Sequence, residues 1–363
     1  MTGFPFKPTP SRRGFLSGMG LAAVGLSFTS TLAGCGGGDK GGRKINFYNW
    51  DTYIGETTLD DFQKASGTEV NMSLFATNDE LFAKLRGGNQ GYDVIVPSND
   101  FVERMRAADM LTELDHSKIP NFKNIAPEFQ DVAFDPGRKF SMPYTWLVLG
   151  LAYRKSKMDG IPDDWKWVFD SDRYKGKIAL LSEAGDLCRL SLKYLGLPID
   201  SSDEASLKRV EELLIKQKPN VAVFHEDNGQ DLLLAGDVDI VIEYNGDIAQ
   251  AMRDDKDIDF VIPKQGSQLN SDCLCIPKGA PNADLAHDFI NYLLDAQAGA
   301  KIAETIQYPT PNAAAKALMP PEYSQNAVIF PPEEAIAKCE YAAYAGEALA
   351  SKYEEIITRV RAA

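Results

Sequence analysis

From residue 44 onward, strand-like alternation and helix-like periodicity of apolar positions take turns along the chain, separated by short breaks. Residues 44–49 read as a strand, and residues 56–66 as an amphipathic helix with Leu59, Phe62 and Ala65 inward and Gly67 as its stop. Residues 68–74 alternate as a second strand. Asn78 caps a helix that runs to Arg86 and ends at Gly87-Gly88, residues 93–96 form a compact buried strand, and residues 101–108 form a helix. Strand, helix, strand, helix, strand with short loops predicts a mostly parallel sheet flanked by helices.

The pattern resumes after an extended crossing at residues 140–153. Strands are predicted at 177–181, 238–242, 259–262 and 273–276. Helices are predicted at 187–195, at 201–217 with Ser202 or Asp203 near the cap, and at 246–253, 282–294 and 346–361. No internal repeat is visible. The roughly 320 residues from 44 onward exceed one simple core and suit two lobes.

The first 43 residues follow a different logic. Ser11-Arg12-Arg13-Gly14-Phe15-Leu16 precedes an uncharged apolar run over residues 19–28, followed by Leu32-Ala33-Gly34-Cys35. An arginine pair before an apolar stretch far short of the roughly 20 residues that span a bilayer reads as a twin-arginine export signal. Leu-Ala-Gly-Cys resembles a lipobox, with Cys35 as the lipidated residue. Residues 1–34 are thus expected to be removed. Cys35 and the glycine-rich residues 36–43 are expected to tether an extracytoplasmic lipoprotein to a membrane, with a reach of roughly 15 Å.

Charge narrows the choice of partner. Removing Lys7, Arg12 and Arg13 with the signal takes the formal net charge from −14 to −17, a body that repels nucleic acid and attracts cations. Export permits disulfides among Cys188, Cys273, Cys275 and Cys339. Buried free thiols are expected, with a Cys188–Cys273 bridge as the alternative. His116, His225 and His287 are isolated, and neither they nor the cysteines suggest a metal or cofactor site.

In parallel α/β sheets, ligands sit beyond the carboxyl ends of strands. Those ends carry Trp50, Asp51 and Tyr53; Ser98, Asn99 and Asp100; Ser182, Glu183 and Asp186; and Glu243, Tyr244 and Asp247, while Asp272 stands just before another strand. None is Lys or Arg, which disfavours an anionic ligand and favours a cation held by carboxylates and aromatic faces. Asp100, Asp186, Asp247 and Ser98 could equally be helix caps, and the aromatic residues core.

Several blocks carry a resemblance. Asn46-Phe47-Tyr48-Asn49-Trp50-Asp51-Thr52-Tyr53, Tyr92-Asp93-Val94-Ile95-Val96-Pro97-Ser98, Phe134-Asp135-Pro136, Ser141-Met142-Pro143-Tyr144-Thr145-Trp146 and Glu304-Thr305-Ile306-Gln307-Tyr308-Pro309-Thr310-Pro311-Asn312 resemble, in order, the bacterial spermidine/putrescine-binding proteins. The resemblance implies a two-lobed, type II periplasmic-binding-protein-like α/β fold. Each lobe is then a mostly parallel sheet flanked by helices, with the ligand cleft between lobes. Lobe one would comprise residues 44–147 and 271–312, and lobe two 148–270 and 313–363.

It also implies roles. Trp50, Tyr53 and Tyr244 fall on the family's amine-stacking aromatics, Ser98 on its hydroxyl contact, and Glu183, Asp186 and Asp272 on its carboxylates. Asp247 falls on an acidic position of putrescine binders, and Tyr308 lies where some members line the site. Asn270, Asp100 and Ala342 depart from the family pattern, at positions that in relatives hold an aromatic, a Tyr and a polar group respectively. The implied protein is a monomeric, non-enzymatic binder of a polyamine that hands its ligand to an ABC importer's permease subunits. The alternatives are a binder of a basic amino acid or quaternary amine, or an exported hydrolase using Glu183 with Asp186 or Asp247.

Overall fold

The computed structural model describes residues 43–363. The export signal, Cys35 and nearly all of the glycine-rich stretch lie outside the described residues. Ten strands are present: β1 (Lys44–Asn49), β2 (Glu69–Leu74), β3 (Val94–Ile95), β4 (Ser141–Arg154), β5 (Ile178–Leu181), β6 (Val221–His225), β7 (Ile240–Tyr244), β8 (Ile258–Val261), β9 (Gln268–Cys275) and β10 (Glu340–Tyr341). The main path runs β2-β1-β3-β9-β4-β7-β5-β6, with β10 paired to β9 and β8 to β4.

At each end of this path the pairing is parallel, β1 with β2 and β3, and β5 with β6 and β7. The middle is antiparallel and belongs to both ends. β4 pairs with β9 over Ser141–Val148, then with β7 over Leu149–Tyr153 and β8 over Leu151–Arg154. Gly150 sits at this change of partner because the Phe260 ring crosses it; a Cβ there would lie 2.3 Å from that ring.

The apolar interior of the described residues divides into two small satellite clusters and two large cores. One gathers Phe47, Ile95, Met105, Leu147, Cys275 and Phe289; the other gathers Leu151, Trp165, Leu181, Leu190, Ile242 and Ile356. The closing helix Glu347–Ala362 packs into the second core through Leu349, Tyr353, Ile356, Ile357 and Val360. Tyr244 touches both.

Several boundaries differ from expectation for local reasons. Thr77, not Asn78, caps helix Asn78–Arg86 by accepting from Glu80 N at 3.1 Å. β9 begins at Gln268, so Asp272 lies inside a strand rather than ahead of one. β6 and the helices Gly229–Ala235 and Ala296–Ile306 have no counterpart in the sequence reading. Cys188 and Cys273 belong to different cores and cannot bridge; with Cys275 they are buried free thiols, and Cys339 is free and half-buried.

Candidate functional site

Strand ends from both lobes converge on a cleft of about 320 Å³ lined by Trp50, Asp51, Tyr53, Ser98, Leu147, Asp227, Tyr244, Asp247, Asp272 and Tyr308. Trp50 follows β1, and its indole N–H donates to Val96 O at 2.8 Å, which fixes the ring plane. Tyr53 and Tyr308 meet edge to face, with ring centroids 4.8 Å apart. No lysine or arginine stands in the lining.

Three carboxylates are each held by a phenol. Tyr53 Oη donates to Asp272 Oδ2 at 2.7 Å, Tyr308 Oη to Asp247 Oδ2 at 2.5 Å, and Tyr244 Oη to Asp186 Oδ2 at 2.7 Å. Ser98 Oγ donates to Asp272 Oδ1 at 2.7 Å. Its position follows from an isolated bridge that sets Ser98 opposite Asp272, while Thr145, in hydrogen-bond contact with Tyr53, is the ladder partner of Asp272 in β4. Ser98 occupies the cap position of helix Asn99–Ala107, yet its side chain makes no cap bond. Asp186 and Asp247 stand in the first turns of their helices, where the helix dipole favours a negative charge.

The two lobes approach closely at Gly246. Its hydrogen faces the Tyr308 ring, and a Cβ would come 2.2 Å from it. Only glycine at the start of helix Asn245–Asp254 lets that phenol reach Asp247.

Burial in a site without counter-charges dominates the electrostatics. It raises Asp272 to about 6 against the favourable bonds from Ser98 and Tyr53, and Asp247 to about 7, helped by the neighbouring Asp272 and opposed by Tyr308. Asp227 is raised well above its ordinary value by burial and by Asp247 and Glu243. Beneath the cleft, burial and Asp247 raise the Glu243 carboxyl well above its ordinary value, and burial lowers His225 to about 4.

Of the nine residues expected to bind ligand, seven line the cleft: Trp50, Tyr53, Ser98, Tyr244, Asp247, Asp272 and Tyr308. Glu183 and Asp186 do not. Glu183 Oε2 accepts from Asn78 N at 3.0 Å, at the N-terminus of a helix of the first core, and its Oε1 is buried without a partner. Burial, Asp79 and Asp186 push its carboxyl well up. Asp186 lies behind Tyr244, where Gln268 Nε2 also donates to it. The sequence reading missed Asp227 and Leu147. Asp227 follows β6, which the apolar Val221-Ala222-Val223-Phe224 run after Pro219-Asn220 could have signalled.

Comparison with known proteins agrees with this architecture. The profile of the bacterial extracellular solute-binding protein family matches residues 57–331. The spermidine/putrescine-binding periplasmic protein of Salmonella typhimurium is 32% identical over 348 residues, 94% of this chain and 97% of the relative. The putrescine/cadaverine-binding protein of Pseudomonas aeruginosa is 33% identical over 309 residues, 82% of this chain and 87% of the relative. A solved structure from Listeria monocytogenes, described as a spermidine/putrescine ABC transporter, superposes with a TM-score of 0.84 at 33% identity, covering 88% of this chain and 99% of that one. A two-core fold with a cleft at the junction, matched in sequence and in structure over most of its length, makes this chain a member of the bacterial extracellular solute-binding protein family.

Proposed function

We propose that the protein captures a polyamine in the cleft between its lobes, outside the cytoplasm, and delivers it to the permease subunits of an ABC importer. The observation that carries this reading is a small cleft lined by four aspartates and four aromatic rings, with no basic side chain. Such a cleft is starved of positive charge. Protonated amines supply it: their N–H groups donate charge-assisted hydrogen bonds to Asp272, Asp247 and Asp227, and their methylenes and ammonium groups lie on the faces of Trp50, Tyr53, Tyr244 and Tyr308. The names of the relatives from Salmonella typhimurium and Pseudomonas aeruginosa support the same ligand class.

The cycle needs no covalent step. Lobe one, residues 44–147 with 271–312, supplies Trp50, Tyr53, Ser98, Asp272 and Tyr308; lobe two, residues 148–270 with 313–363, supplies Asp227, Tyr244 and Asp247. Closure around the ligand excludes water and strengthens each ion pair, and the closed outer surface is what the importer reads. The protein acts as a monomer, exported by its twin-arginine signal and anchored through lipid on Cys35.

Equilibrium dialysis with putrescine and with spermidine at physiological salt tests the reading. Saturable binding of at least one is expected; binding of neither refutes it.

A further inference from the structure

Beyond Tyr244 the seam between the lobes is filled by the protein's own cation. Arg189 stands one turn after Asp186 on helix Ala184–Tyr194 and folds back over Gly185, where a Cβ would come 3.0 Å from the guanidinium. Its Nη1 lies 2.9 Å from Asp100 Oδ2 in the opposite lobe and 3.6 Å from Asp186 Oδ1, and its Nη2 donates to Ala343 O at 3.1 Å. All three charged residues are buried, exposing 6%, 5% and 3% of their surface for Arg189, Asp100 and Asp186. Asp186 further accepts from Tyr244 and Gln268. The carboxylate nearest this end of the cleft is already neutralised, whereas Asp227, Asp247 and Asp272 line a cleft without any basic side chain.

We propose that the Arg189 guanidinium, paired with Asp100, is a built-in cation that blocks the cleft at Asp186 and makes the site selective for short α,ω-diamines over longer triamines such as spermidine. This rests on the polyamine reading above and specifies its ligand. A third ammonium extending past Tyr244 would meet a like charge. Displacing Arg189 instead would strip its buried guanidinium of Asp100 and Asp186. Rejection therefore comes from repulsion and from an unpaired charge, which discriminate more strongly than a missing contact.

Calorimetric titration of putrescine, cadaverine and spermidine into the purified protein and its Arg189→Gln and Arg189→Lys variants tests this. The wild type should bind a diamine more tightly than spermidine. Arg189→Gln should raise the spermidine-to-putrescine affinity ratio about tenfold or more, the order of one charge-assisted hydrogen bond, and Arg189→Lys should leave that ratio low. Because the ratio is internal to each variant, partial loss of folded protein does not distort it. Should Arg189→Gln fail to fold, Asp100→Asn with Arg189→Met removes both charges of the pair and should raise the ratio in the same way. Spermidine bound as tightly as putrescine by the wild type, or a ratio unmoved in the charge-removing variants, overturns this inference and leaves polyamine capture standing. No saturable binding of any of the three to the wild type overturns both.

Discussion

Ligand capture should expel protons, and a minimum follows from Asp247 and Asp272, to which Asp227, also raised by burial, adds. Burial holds Asp247 near 7 and Asp272 near 6, against an ordinary value of 3.8. An ammonium beside each demands the ionised form. Treating the two as independent, binding releases about 1.4 protons at pH 6, about 0.6 at pH 7 and about 0.1 at pH 8. The corresponding loss of affinity between pH 8 and pH 6 is about 20-fold, or about 1.8 kcal/mol. The sign for stability runs the other way in the empty protein. Folded-state values above the unfolded value of 3.8 mean that the native state binds the extra protons, so its stability falls as pH rises through about 4 to 7. Ligand removes that dependence. Isothermal titration of putrescine in two buffers of different ionisation enthalpy, at pH 6, 7 and 8, counts the protons directly. Heats independent of buffer, with an affinity flat over this range, would refute the reasoning by showing that the free cleft opens and hydrates both carboxylates.

Three further outcomes follow from the site and the leader. Asp272→Asn keeps the hydroxyl contacts of Ser98 and Tyr53 in reach but removes the charge. It should cost at least about tenfold in diamine affinity by calorimetry, while an aromatic box for quaternary amines would lose much less. Gly246→Ala places a methyl group against the Tyr308 ring, 2.2 Å from the nearest carbon. It should weaken binding by about tenfold or more; unchanged affinity would show that the lobes need not meet there. Cys35→Ser should shift the protein from the membrane pellet to the soluble extracytoplasmic fraction, and equal pelleting of both forms would dismiss the lipid anchor.

What could be read from the chain reflects how strongly each element is specified locally. β1 was located to the residue, and the helix Asn78–Arg86 and β4 to within one, because alternation or an amphipathic stripe is unbroken there. The helix Ala296–Ile306 escaped because alanine and glycine blur its stripe, although Asp295 caps it by accepting from Gln297 N and Ala298 N. β6 escaped because it is an edge strand with exposed Ala222 and Val223, so its alternation is weak. Single residues in the cleft were legible by chemistry, since acids and rings recur past several separate strands. Their partners were not. Nothing in the local sequence shows that Glu183 serves a helix of the other lobe through Asn78 N, or that Arg189 reaches Asp100 across the seam. Both are tertiary pairings between segments far apart in the chain.

The uninterrupted run of β4 from one core into the other has a mechanical consequence. Its 14 residues hydrogen-bond to β9 in one half and to β7 and β8 in the other. Planar peptide units and paired neighbours leave such a ribbon little freedom except gradual twist and flexure. Any swing of one half against the other is therefore spread over several residues and stays elastic. The junction is sprung rather than loosely jointed, so a displacement of either half tends to return the same groups to apposition.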